Sequence, residues 1–297
     1  MSVKQKSDGK WQARYRDPAG VQRAKTFQRK ADAQRWEAEQ KAKMRTGDWT
    51  DPNAARVTVQ SVFDDWLPAA NISDRTRSDY QEVWESCVAA TWARRELRRV
   101  QPADVIRWVS SLQERGLSSS RIRHAVTVLN QTMRWAVADQ RLPANPVQRA
   151  KELTNGNLLP KRPPKQPNRY LTMEEVYRLA AEAGPYEVMI LTMAFTGLRF
   201  GEVTALRGKD VDELRSRLLV RRAFTDIRGR LVEGPPKSGK SREVPLPKSV
   251  HAALTTALQE AGPEGLLFTA PQGGPVRYAN WKRNVFNPAA LRAGVLP

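Results

Sequence analysis

Cysteine is nearly missing from these 297 residues: Cys87 stands alone, so no internal disulfide can form, which fits a reducing compartment such as the cytoplasm. Histidine is almost as scarce, at two, and with a single thiol leaves little from which to build a zinc site. No apolar run approaches the ~20 residues of a spanning helix, and no signal peptide opens the chain, so a membrane protein is not expected. Acidic residues are also short: 31 Asp+Glu face 50 Lys+Arg, a net charge of +19. That excess goes well beyond what solubility requires. It predicts a polyanionic partner, nucleic acid ahead of a membrane surface, with an affinity that falls steeply with salt. The length allows two or three domains with substantial cores.

The first fifty residues read as a small module. Trp11, Ala13 and Tyr15 alternate with Gln12, Arg14 and Arg16, the period-two pattern of a half-buried strand. Asp17-Pro18-Ala19-Gly20 supplies a turn, and Val21 to Phe27 returns as a second strand. A helix is predicted from about Lys30 to Arg45, stopped by Gly47, with Trp36 and Met44 facing inward. Arg14, Arg16, Arg23 and Lys25 are expected to share the exposed side of the sheet, where they could read a DNA groove.

From Val57 to Pro146 the pattern is helical. Val59, Val62, Phe63 and Trp66 recur at helical spacing behind Thr58 as cap. Tyr80, Val83, Trp84 and Cys87 repeat it, then Val105, Trp108, Val109 and Leu112, then Ile122, Val126, Leu129 and Met133. Four amphipathic helices with short connections make a bundle, its tryptophans and Cys87 in the core. Arg75, Arg77, Arg94, Arg95, Arg98, Arg99, Arg121 and Arg123 fall at helix ends and outward faces, and together outline a phosphate-binding surface. Residues 149–168 carry Pro160, Pro163, Pro164 and Pro167 among Lys161, Arg162 and Lys165. They are expected to form an extended, semi-rigid linker.

Beyond the linker, Thr172 and Glu175 form a capping box before Val176, Leu179 and Ala180. A second helix runs from Val188 to Ala194 and a third begins near Arg199. Strands are predicted at Leu218–Val220, Leu231–Val232 and Glu243–Leu246, with turns at Gly229 and Ser238-Gly239, followed by a helix from about Pro247 to Glu260. In Ala194-Phe195-Thr196-Gly197-Leu198-Arg199-Phe200-Gly201-Glu202-Val203-Thr204-Ala205-Leu206, an arginine opens a helix with a glutamate one turn along. Such an arginine offers a rigid fork of donors to a phosphate. Glu202 shares its helix face and can hold the guanidinium in register.

That stretch resembles the first catalytic box of tyrosine recombinases, the phage integrase family. Pro236-Lys237-Ser238-Gly239-Lys240-Ser241-Arg242 resembles the family's β-hairpin lysine motif, with Lys237 the match and Lys240 the runner-up. The bundle resembles the family's core-binding domain, through Arg99 to Trp108 and Ala136 to Pro146. The first module resembles its arm-binding domain. The resemblance implies a multidomain, mainly α fold with small β elements. Its parts are an arm-type DNA-binding domain at 1–50, a helical (SAM-like) core-binding domain at 57–148, the linker, and an incomplete α+β catalytic domain at 169–297. It further implies that Arg199 binds the scissile phosphate and Lys237 protonates the departing 5′ oxygen, in strand exchange through a 3′-phosphotyrosyl intermediate without metal or other cofactor. The partner implied is duplex DNA at attachment sites, with accessory DNA-bending or excision proteins, in the cytoplasm or nucleoid of a host cell.

The family also requires a His-x-x-Arg box and a nucleophilic tyrosine. Three residues after His124 and His251 stand Thr127 and Leu254, and none of Tyr15, Tyr80, Tyr170, Tyr177, Tyr186 or Tyr278 lies where the nucleophile belongs. Phe286 to Pro297 is similar to the lead-in to that box. The expectation is a truncated member that binds DNA without cleaving it, with apolar surface exposed at Leu191, Phe195 and Leu206. The family's tetramer on DNA is not expected of this chain, because protomers exchange C-terminal elements. The competing readings are a non-catalytic DNA-binding regulator, or integrase remnant, competing for attachment sites, and a basic RNA-associated protein.

Overall fold

The computed structural model describes residues 3–18, 20–46, 54–162, 164 and 169–295. Ala19, Gly47, Pro163, Lys165, Pro167, Leu296 and Pro297, on which parts of the sequence reading rest, lie outside the described residues. Among the described residues the fold is mainly helical with three small antiparallel sheets, and the chain divides into two compact units, 1–165 and 166–297.

In the first unit, β1 (Val3–Gln5), β2 (Trp11–Arg16) and β3 (Gln22–Phe27) form one sheet backed by α1 (Lys30–Thr46). Ala13 and Tyr15 are buried, and half-buried Trp36 lies edge-on to Tyr15, with centroids 5.3 Å apart. Strand β1 carries no apolar alternation, so the sequence pattern does not reveal it.

The bundle follows as α2 (Val59–Ala69), α3 (Asp74–Val83), α4 (Ala89–Trp92), α5 (Pro102–Glu114) and α6 (Ser119–Ala138). A π turn over Trp84–Val88 joins α3 to α4, so the second predicted helix is one continuous, locally unwound rod. The Thr58 hydroxyl accepts the Ser61 N–H as the first cap. The four predicted apolar sets converge on one core, except that Tyr80 is only partly buried. Phe63 and Trp84 stack there at 4.0 Å and 9°.

The expected linker begins later than the prolines suggested. Helix α7 (Pro146–Leu153) occupies its first residues, with Val147 and Ala150 fully buried, and Leu158 closes the same core. The Asn145-Pro146 pair starts this helix. The Asn145 side chain accepts the Val147 N–H at 2.8 Å, and proline at the first helical position lacks only a donor that has no partner there.

The second unit opens with α8 (Met173–Ala181), where Thr172 and Glu175 cap one another as predicted. There follow α9 (Glu187–Thr196), α10 (Phe200–Val203), β4 (Val211–Asp212), β5 (Arg217–Val220), β6 (Ala223–Ile227), β7 (Arg230–Gly234), β8 (Arg242–Pro245), α11 (Lys248–Ala261), α12 (Tyr278–Trp281) and α13 (Asn287–Arg292). One sheet has the order β4-β5-β8 and a separate hairpin pairs β6 with β7. Leu191 and Leu206 are buried in the core of this unit and Phe195 is partly buried, contrary to the exposure expected of them. Helices α8 and α13, which pack together, cover that core.

Candidate nucleic-acid interface

Helix α9 ends on Gly197 in the left-handed region (φ 65°), a conformation glycine adopts without penalty. The chain reverses over buried Leu198, and Arg199 stands extended at the head of α10. Gly201, two residues on, faces the backbone of β6. A methyl group there would collide with the Phe224 carbonyl oxygen. Gly201→Ala is therefore expected to lift α10 and cost about 1–3 kcal/mol, as overpacking does. A thermal unfolding midpoint equal to the parent's would refute this.

Glu202 is 1% exposed and is the hub of the site. Its carboxylate accepts the Arg199 backbone N–H at 2.9 Å and Arg199 Nη1 at 3.2 Å. It also receives two donors from Arg242, Nη1 at 2.9 Å and Nη2 at 2.7 Å, one on each oxygen. The Arg242 hydrogen bonds are the first cause that holds the Glu202 carboxyl down at about 2, against the opposing effect of burial. The Arg199 side chain stays 61% exposed, its guanidinium open to solvent. Glu202 thus touches Arg199 as predicted, but its main partner is Arg242, which sequence reasoning passed over. The available signal was alternation: Arg242 shares a strand face with Val244, which packs on the core, so a charge at that register requires a counter-charge.

Lys237 and Lys240 are exposed on the turn that begins at Pro236, where the Gly239 N–H bonds the Pro236 carbonyl at 2.7 Å. This turn is not the tip of a hairpin, as expected. Strand β7 pairs with β6, and β8 with β5, so the segment carries the chain from one sheet to the other. Strand β8 returns it to Arg242, and so to Glu202. Beside Arg199, Phe200 packs on Tyr278 and Trp281, with ring centroids 5.1 and 5.0 Å away.

The basic residues of the first unit separate into two groups. Directly paired residues of an antiparallel sheet share a face. The register Arg14↔Ala24 and Arg16↔Gln22 therefore puts Arg14 and Arg16 on one face, with Lys4 opposite Gln12 joining them. Tyr15↔Arg23 and Ala13↔Lys25 put Arg23 and Lys25 on the other face, against α1, which corrects the shared surface predicted for all four. Arg23 Nε bonds buried Asp17 at 2.9 Å, and the Lys25 ammonium lies over the Phe27 and Trp36 rings.

In the bundle, Arg77 donates to the carbonyls of Leu67 and Ala70, closing the end of α2. Arg121 bonds Glu82 and Ser86, Arg123 bonds the Pro160 carbonyl at 2.6 Å, and Arg75 pairs with Asp79. These four are engaged within the protein rather than standing as free surface charges. Lys161 and Arg162 are exposed. Among the described residues no group of three or more His, Cys, Asp or Glu could hold a metal, and no helix is long and apolar enough to cross a membrane.

This architecture is the tyrosine recombinase fold. The Tn1549 transposon integrase, solved with circular intermediate DNA, superposes with a TM-score of 0.65 at 18% identity over 80% of this chain and 79% of its own. A lambda integrase tetramer bound to a Holliday junction gives 0.59 at 17% identity over 100% and 85%. Residues 2–46 match the family described as phage integrase, N-terminal domain. A putative prophage phiRv2 integrase of Mycobacterium tuberculosis is 29% identical over 277 residues, 90% of this chain and 72% of its own length. The integrase of Mycobacterium phage L5 is 28% identical over 291 residues, 92% and 76%. The chain is thus similar to phage integrases in sequence and to tyrosine recombinases in fold.

Proposed function

We propose that this chain binds duplex DNA at recombination attachment sites and serves DNA integration by strand exchange. Arg199 takes the scissile phosphate and Lys237 stands as general acid to the departing 5′ oxygen. The observation that carries this reading is the Arg199 guanidinium, exposed at the head of α10 while its backbone N–H and one of its side-chain nitrogens are fixed by a buried carboxylate. A fork of donors held this way suits a tetrahedral phosphate. The relatives are integrases, and two solved neighbours are integrases on recombination DNA, which supports the same partner here.

For the polypeptide of residues 1–297 the reading is binding without cleavage, since no His-x-x-Arg sequence occurs in it. Tyr15 and Tyr186 are moreover buried. A suicide duplex that traps phosphotyrosyl adducts is expected to give none with this polypeptide. An adduct stable in denaturing gels would overturn that. Footprinting on candidate attachment DNA, repeated with Arg199→Ala and Lys237→Ala, tests the placement of both side chains.

On the sheet of the first unit, Arg14 and Arg16 are the groove or phosphate contacts, with Arg23 and Lys25 in a supporting position. The double change Arg14→Ala, Arg16→Ala is expected to flatten the log–log salt dependence of DNA affinity by about two, roughly 0.9 for each phosphate no longer neutralised. An unchanged slope would remove this face from the interface. Arg75, Arg77, Arg121, Arg123, Lys161, Arg162 and Lys240 remain contacts proposed for the bundle, linker and turn, the exposed ones foremost.

A further inference from the structure

We propose that Arg242 is a positioning residue that keeps Arg199 free for phosphate by occupying Glu202. The proposal rests on the reading of Arg199 as a phosphate ligand. Glu202 is buried and bears a full negative charge that must be neutralised from within the protein. Two arginines reach it, and they do so unequally. Arg242 delivers a nitrogen to each oxygen, at 2.9 and 2.7 Å, the bidentate fork that is the strongest arginine–carboxylate arrangement. Arg199 gives one side-chain nitrogen, at 3.2 Å, together with its backbone N–H at 2.9 Å. The backbone bond fixes where Arg199 starts, and the long side-chain bond only orients its guanidinium.

The division of labour follows from competition. A carboxylate beside an arginine is an internal rival for any phosphate that arginine might bind. With Arg242 in place, the charge of Glu202 is met twice over, and the remaining donors of Arg199 point to solvent on a side chain 61% exposed. Without Arg242, the same carboxylate has Arg199 as its one cationic partner among these contacts and draws the guanidinium inward. Arg242 also lies five residues beyond Lys237 at the start of β8, so the residue that frees Arg199 also ties the lysine turn to the arginine helix.

Binding of the full chain to a fluorescein-labelled duplex, measured across a salt series, tests this with five proteins: parent, Arg199→Ala, Arg242→Lys, Arg242→Met, and the double variant Glu202→Gln, Arg242→Met. Arg199→Ala is expected to lower the log–log salt slope by about 0.9, the share of one neutralised phosphate. An unchanged slope for that variant overturns the underlying reading of Arg199, independently of Arg242. If Arg199 passes, Arg242→Met is expected to reproduce the same fall in slope, and the double variant to restore the parent's slope because the internal rival has been neutralised. The double variant also removes the unpaired buried charge that could unfold Arg242→Met, so it decides the matter where the single variant is not recovered. A double variant that keeps the defect shows that Arg242 touches DNA directly and overturns the proposal. Arg242→Lys keeps the charge but loses the fork, and is expected to fall between the parent and Arg242→Met; a slope below that of Arg242→Met would also count against the proposal.

Discussion

Replacing Arg242 by methionine is expected to remove about 3–5 kcal/mol from the stability of the unit 166–297, the range seen when one partner of a buried ion pair is deleted. Glu202 would keep its charge at 1% exposure with only the Arg199 contacts left. On a unit of this size the midpoint should fall by on the order of 10 °C. Hydrogen exchange confined to peptides of 166–297 is the suitable readout, because the bundle carries most of the tryptophan signal. Protection within about 1 kcal/mol of the parent would contradict the assignment of Arg242 as the principal partner. Changing Glu202 to glutamine in the same protein is expected to recover most of the deficit, since removing both charges costs less than stranding one.

The same pair sets an acid limit. Because the Glu202 carboxyl is held at about 2 rather than 4.5, the native state binds its proton less readily than the unfolded chain does. Its contribution, about 3 kcal/mol, is complete above pH 4.5 and is lost as pH falls from there through 2. In Glu202→Gln this part of the acid sensitivity should vanish, which a comparison of unfolding at pH 5 and about pH 2.5 would register.

The second large effect belongs to the bundle. Trp84→Ala is expected to cost about 3–5 kcal/mol, the usual toll for deleting a buried large aromatic. Trp84 is 1% exposed, stacks on Phe63 and donates its indole N–H to Gln60 Oε1 at 2.9 Å. Trp84→Phe keeps the stack and loses the hydrogen bond, for about 1 kcal/mol beyond the change in packing. Denaturant midpoints of the two variants that coincide would mean the stack contributes little.

The bundle was legible because its helices repeat apolar residues every three to four positions, and such a stripe has one way to be buried. The site was legible where a local motif names its own geometry, as Gly197 to Glu202 does. What failed was register and remote pairing. Whether Arg23 falls beside Arg14 or behind it depends on the parity of the loop between β2 and β3, and one residue more would exchange the two faces. Nothing within Pro236 to Arg242 says that β8 pairs with β5 instead of β7, or that Arg242 meets a glutamate 40 positions earlier. The linker expected from residue 149 starts later for a related reason: Pro146, at the first position of a helix, extends regular structure to Leu153.

Of the nine tryptophans in the chain, Trp281 alone falls within 166–297. It lies against Phe200, the residue after Arg199, in a cluster that also holds Tyr278 and Phe286. The second unit therefore carries a single tryptophan, two side chains from Arg199. Subtracting the emission of Trp281→Phe from that of the parent isolates this signal, so an event at Arg199 can be followed optically without attaching a dye.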